Sequence, residues 1–128
     1  MSYYFSKYSS LNFDETIDKT IAELKEEGFG VLTEIDVTQT LKKKLNADFR
    51  PYRILGACNP PYAYKALQSE DKIGTMLPCN VIVQQTEDGR IEVAAIDPIA
   101  SMSAVDNPEL QEIAEQIREK LKTVIDSI

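Results

Sequence analysis

Residues 52–83 read YRILGACNPPYAYKALQSEDKIGTMLPCNVIV and contain both cysteines of the chain. Apolar residues alternate up to Cys58 and again after Cys79, which is typical of two β-strands. Asn59 followed by Pro60 is typical of a helix start, because a proline at the first helical position loses no hydrogen bond. The stretch therefore predicts a strand, a helix and a second strand. If the two strands share an edge, both cysteines lie at one end of a sheet.

The segments on either side of this stretch extend the pattern. Period-two alternation predicts strands, helical spacing of apolar residues predicts amphipathic helices, and the Asp-Gly pair at 88–89 predicts a hairpin. Asn12 with Glu15 forms a capping-box-like helix start. Residues 97–103 are predicted to form an irregular loop. The predicted elements are a strand at 3–8, a helix that begins at 13 and is ended by Gly28, a strand at 31–37, a short helix at 38–45, a strand at 90–96, and a helix that begins with the cap-then-proline signal at 107–109 and runs to 128.

These elements predict a single α+β domain over residues 1–128. Its core is strand-helix-strand-strand-strand-strand-helix, with short inserted helices. One antiparallel-rich, five-stranded sheet with helices packed on one face satisfies this order, because the strands alternate apolar and polar residues. The other face is predicted to be wet or to form a dimer surface.

The composition excludes several classes of function. The chain carries a net charge of −7 and has no histidine. The acidic excess opposes binding to a nucleic-acid backbone, so we expect no nucleic-acid partner. Without histidine, the chain cannot form a Ser-His-Asp or Cys-His catalytic arrangement, or a histidine-ligated metal site. No apolar run approaches the roughly 20 residues of a membrane span, and the N-terminus lacks a signal-peptide layout, so we expect a cytoplasmic protein without a membrane partner.

The cysteines are the candidates for chemistry. A helix start after Cys58 would favour its thiolate, although free cysteine is also a common buried packing residue. Cys79 begins the following strand. Two thiolates are too few for a closed tetrahedral zinc site, so we expect no metal unless Asp97, another chain or a bound cofactor completes one. The side chain of Asn59 is predicted to cap the helix rather than to act in catalysis.

The words LGACNP at 55–60, IGTMLPCNVIV at 73–83 and AAIDP at 94–98, with a Glu-Asp-Gly turn before the last, resemble a prokaryotic family catalogued as domain of unknown function 302. The resemblance runs over nearly the whole chain. It implies a compact α+β domain similar in topology to the TATA-binding-protein-like fold. It also implies a protein that is often a dimer and has no agreed activity.

Two hypotheses of function follow. The first is an uncharacterised cytoplasmic domain, a homodimer that binds a small molecule or a partner at the sheet end marked by Cys58, Asn59, Cys79, Asn80 and Tyr62. The alternative is a thiol-dependent redox or sulfur-handling protein that uses the two cysteines as nucleophile and partner. The tyrosine has a competing role as a core residue, and the asparagines as cap and turn groups. The sequence identifies neither a cofactor nor an enzymatic activity.

Overall fold

The computed structural model describes residues 2–128 of the chain. The elements, in chain order, are β1 (Tyr4–Ser9), α1 (Phe13–Glu26), β2 (Gly30–Asp36), α2 (Val37–Leu45), β3 (Tyr52–Cys58), α3 (Pro60–Ser69), a 3₁₀ helix (Asp71–Met76), β4 (Cys79–Gln85), β5 (Ile91–Ile96), α4 (Pro98–Ser101) and α5 (Pro108–Asp126). The strands form one five-stranded sheet in the order β1-β5-β4-β3-β2, and every neighbouring pair is antiparallel. The predicted α+β class and the five-stranded sheet are confirmed.

The main core lies between the sheet and the two long helices, α1 and α5. Strand residues alternate in and out of the sheet plane, so one row of each inner strand faces the helices. Within this core, Leu24, Leu55 and Leu121 are fully buried. The other buried members are Ile17, Phe29, Ala57, Cys79, Val81, Val83, Ile91, Val93, Ala95, Ile117, Val124 and Ile125.

A second, smaller core lies beside the first. It joins α3, the 3₁₀ helix, α4 and the first half of α5 through Ala66, Ile73, Met102, Leu110 and Ala114. Because α5 contributes to both clusters, this helix connects the two cores. No helix among residues 2–128 combines the length and the low polarity that a membrane crossing requires.

Two local sequence signals, the Asn12 helix cap and the Asp-Gly turn, form the structures that they predict. The Asn12 side chain accepts a hydrogen bond from the Glu15 backbone N–H at 2.8 Å, which starts α1. Gly89 has φ +85°, a conformation that glycine adopts without strain. It closes the hairpin between β4 and β5, in which the Thr86 N–H donates to the Arg90 carbonyl at 2.8 Å.

The structure corrects the prediction at three places. Residues 71–76 form a 3₁₀ helix, for which no element was predicted, and residues 98–101 form a short helix where a loop was predicted. In the second case the Asp97 side chain accepts from the Ile99 N–H at 3.0 Å, which caps α4 and stabilises a single turn. Strand β2 ends at Asp36 rather than at residue 37, because the Asp36 side chain caps α2 through the Gln39 N–H at 2.9 Å.

Candidate functional site

An apolar cavity of about 260 Å³ lies at the end of the sheet where β3 leaves and β4 enters. No charged residue of the described chain lines it. The lining residues are Phe29, Leu32, Ala57, Cys58, Asn59, Ala63, Ala66, Leu77, Pro78, Cys79, Met102, Ile113 and Ile117. The cavity therefore lies between the sheet, α3 and α5, at the junction of the two cores.

The cavity collects three of the five candidate site residues, Cys58, Asn59 and Cys79. In the β3–β4 register, Cys79 lies opposite Ala57, and both are buried in the main core. Cys58 is the next residue along β3 and is half-buried, so strand alternation turns its side chain away from that of Cys79. Both thiols are free and they are not near each other. The structure does not bring them together as a reactive pair.

The thiol of Cys79 is held in its neutral form. Burial raises its pKa from 9.0 to about 11, and the charge of a Cys58 thiolate would add a smaller contribution in the same direction. A thiol at this pKa is protonated at neutral pH, and the thiolate is the nucleophilic form. Cys79 is therefore an apolar wall residue of the cavity at neutral pH.

Asn59 occupies the N-cap position of α3, but its side chain does not cap the helix, contrary to the prediction. Its Nδ2 donates instead to the Glu27 carbonyl at 3.1 Å, in the turn that ends α1. Gly28 in this turn has φ +86°, and a Cβ there would lie 3.3 Å from Asn59 Nδ2. Asn59 is buried, and its side-chain amide forms this long-range hydrogen bond in place of a local cap. Asn59 therefore fixes the cavity wall to the α1–β2 turn.

Asn80 and Tyr62 lie outside the cavity. Asn80 is exposed on β4 and lines a separate groove on the other side of the sheet. Tyr62 packs against the edge of the main core, with Lys65 Nζ 5.9 Å and Lys120 Nζ 6.0 Å from its ring centroid. Asp97 does not complete a site with the cysteines either, because it caps α4 and pairs with Arg118 Nε at 3.3 Å.

Gly56 marks a close approach at the edge of this site. A Cβ at Gly56 would overlap Thr33 Oγ1 on β2 and would lie 2.8 Å from Cγ of Pro78, a cavity residue. The neighbours that exclude a side chain at this glycine are a threonine and a proline of the chain itself. Because Gly56 has no side chain, β2 and Pro78 can pack closely against β3 at this end of the sheet.

Most of the residues that line the cavity were not predicted as site residues. Ile113 and Ile117 carried a signal, since helical spacing placed them on the apolar stripe of α5, but nothing linked them to the cysteines. Met102 lay in a segment that was predicted to be a loop. Leu32 reaches the cavity from an irregularity in β2, where the register with β3 shifts between Val31 and Thr33. No local sequence pattern predicts that bulge.

Comparison with known proteins identifies related chains. Residues 5–128 match the model of a family described as "Domain of unknown function DUF302". A solved structure, the crystal structure of an uncharacterized conserved protein DUF302 from Bacillus stearothermophilus, superposes with a TM-score of 0.92 at 33% sequence identity, covering 98% of each chain. A search of curated proteins gave no match.

Proposed function

Because the chain belongs to the family described as domain of unknown function DUF302, whose description assigns no activity, we propose a function from the geometry of the cavity: the protein binds a small, uncharged, apolar molecule there. The single observation that carries this proposal is a cavity of about 260 Å³ whose described lining carries no charge. The cavity opens to solvent beside Leu32, which is 69% exposed, and a concave, mostly apolar site of this kind is where small molecules commonly bind.

The size of the cavity limits the ligand. Ligand pockets usually enclose about 300–1,000 Å³, so this cavity lies just below that range. An engineered apolar cavity of about 150 Å³ in another protein stays dry and takes up benzene or xenon. A single aromatic ring or a short aliphatic chain is therefore the ligand class that fits.

The polar groups of the wall favour an uncharged ligand. Cys79 is neutral, and Nδ2 of Asn59 is already engaged with the Glu27 carbonyl. A charged ligand would lose its hydration and gain no opposite charge, which costs several kcal/mol. Asn59 Oδ1, a hydrogen-bond acceptor, and the weakly polar thiol of the half-buried Cys58 are the remaining polar side-chain groups, and they would select orientation rather than charge.

A titration with toluene tests this proposal. Toluene should raise the melting temperature of the wild-type protein, because a ligand that binds only the folded state stabilises it by RT ln(1 + [L]/Kd). The variant Ala63→Leu extends a half-buried side chain of α3 into the cavity, and leucine retains a high helix propensity. We expect toluene affinity to fall at least tenfold in this variant, by isothermal titration calorimetry.

The matched control is Lys65→Leu, which adds the same side chain to an exposed position of the same helix, outside the apolar cavity. Its toluene affinity should equal that of the wild type. A wild-type protein that toluene does not stabilise, or equal affinities in the two leucine variants, would contradict the proposal.

The thiol-dependent alternative has weaker support. It requires a nucleophile and a nearby resolving thiol, whereas the two cysteines are not near each other and Cys79 is protonated at neutral pH. The free thiols do favour the reducing environment of the cytoplasm, which we retain as the proposed location and which cell fractionation would test.

We also propose that the protein forms a homodimer, as the family resemblance implies. Strand β2 is an edge strand, and Leu32 and Ile35 on it are 69% and 48% exposed. Such an edge is prone to pair with another chain unless it is covered. Light scattering should give twice the chain mass of 14.4 kDa, and Ile35→Lys should shift the protein toward the monomer. A monomeric mass for the wild type at high concentration would reject the dimer.

A further inference from the structure

A groove of about 380 Å³ crosses the sheet face opposite α1 and α5, and neither the cavity nor the cysteines belong to it. Three tyrosines line it: Tyr3 and Tyr4 at the β1 edge, and Tyr52 on β3. Its floor is formed by Ile82 of β4 and by Ala94 and Ile96 of β5. The groove thus has an apolar floor between aromatic walls.

Within the described chain, Glu92 is the single charged residue that lines this groove. It is half-buried, and no lysine or arginine among residues 2–128 forms an ion pair with it. A half-buried carboxylate has lost part of its hydration, and a cation in the groove would compensate for that loss. The groove therefore holds a negative charge with which no lysine or arginine of the described residues forms a direct ion pair.

A short relay of hydrogen bonds fixes the orientation of this carboxylate. Arg50 Nε donates to Gln84 Oε1 at 2.9 Å, and Gln84 Nε2 donates to Glu92 Oε1 at 2.8 Å. The arginine decides which end of the amide faces Glu92, because its N–H groups can only donate. Glu92 Oε2 has no hydrogen-bond donor within the described residues and is free to accept one.

Arg50 lies beside the groove and covers two aromatic rings. Its guanidinium lies 4.3 Å from the ring centroid of Phe49 and 5.5 Å from that of Tyr52, yet it does not line the groove. Tyr3 and Tyr4 stack edge to face, with ring centroids 5.1 Å apart, and both are exposed. No lysine or arginine from residues 2–128 lies over either ring of this pair. This pair borders the other end of the groove from Glu92, because Tyr4 lies opposite Ile96 in the β1–β5 register whereas Glu92 lies opposite Tyr8, four residues or about 13 Å along the strand.

From this geometry we propose that the groove binds a small organic ammonium ion. The charged nitrogen lies against Glu92 Oε2, and the alkyl part lies on Ile82, Ala94 and Ile96, toward the end of the groove that Tyr3 and Tyr4 border. The carboxylate attracts a cation, and the net charge of −7 favours its approach. Anions are excluded because the carboxylate would repel them. An uncharged molecule would leave the carboxylate half-desolvated without compensation.

The test is an NMR titration of the full chain with butylammonium chloride at constant ionic strength, with 1-butanol as the uncharged probe of equal length. Butylammonium should shift the Gln84 side-chain amide and the Ala94 backbone amide, and 1-butanol should not. The variant Glu92→Gln keeps an oxygen that accepts from Gln84 while removing the charge, and we expect it to weaken butylammonium binding at least fivefold.

Two control variants distinguish binding in this groove from binding elsewhere on the protein. Glu87→Gln removes an exposed carboxylate from the hairpin turn outside the groove, and Ala63→Leu fills the apolar cavity; both should bind butylammonium as the wild type does. The proposal is overturned if Glu92→Gln binds as tightly as Glu87→Gln. It is also overturned if 1-butanol shifts the same amides equally, or if the wild type shows no saturable shifts because a second copy of the chain covers this face.

Discussion

The substitution Ile117→Asp is expected to unfold the protein. Ile117 is 5% exposed at the centre of α5, in the main core and on the wall of the cavity. Placing an unpaired carboxylate there costs several kcal/mol, and the packing of the isoleucine side chain is lost as well. The total stability of a domain of this size is about 5–15 kcal/mol, so this change removes most of it.

Circular dichroism at 222 nm during heating measures the effect. The melting transition of Ile117→Asp should disappear or fall far below that of the wild type. The matched control, Gln116→Asp, adds the same side chain to the exposed side of the same helix and should melt within a few °C of the wild type. If both aspartate variants have the same melting temperature, the side of α5 that contains Ile117 does not pack in the core as described.

The second large effect is expected at Gly56. In Gly56→Ala the new methyl group would overlap Thr33 Oγ1 and lie 2.8 Å from Pro78 Cγ. Threonine can rotate away, but a proline ring carbon cannot, so the strands or the cavity wall must shift. Overpacking of this kind costs about 1–3 kcal/mol. We expect a loss of stability toward the upper end of that range in urea unfolding.

A double variant distinguishes this steric cause from a general intolerance of strand substitutions. Thr33→Ala removes the overlapping hydroxyl, so Gly56→Ala should destabilise the Thr33→Ala background less than it destabilises the wild type. Gly30→Ala is the control, because a Cβ at Gly30 meets no atom of the described chain within 4 Å. Additive losses in the double variant, or a Gly30→Ala loss as large as that of Gly56→Ala, would refute the steric cause.

The fold followed from the sequence where the signals are local. Alternation in β3, β4 and β5, the Asn12 cap and the Asp-Gly turn each act within a few residues, and each has its counterpart in the structure. The short helix α4 was missed because four residues carry no periodicity, and its stability depends on one side-chain cap from Asp97.

Only part of the site could be predicted from the sequence, because its geometry depends on long-range contacts. Cysteine positions at two strand ends located Cys58 and Cys79 at one cavity, but alternation within the sheet separates their side chains. Asn59 has the sequence context of a cap, yet it bonds to a carbonyl 32 residues away. No sequence motif predicted the groove around Glu92, because its residues come from separate parts of the chain, at β1, β3, β4 and β5.

The location of bound toluene in crystals of the wild-type protein tests the central claim most directly. We predict electron density for one ring in the cavity between β3, α3 and α5, in contact with Ala57, Ala63 and Ile117, and no such density in crystals of Ala63→Leu. An empty cavity in toluene-saturated crystals, or toluene bound only outside it, would contradict the proposal that this cavity is the binding site of the protein.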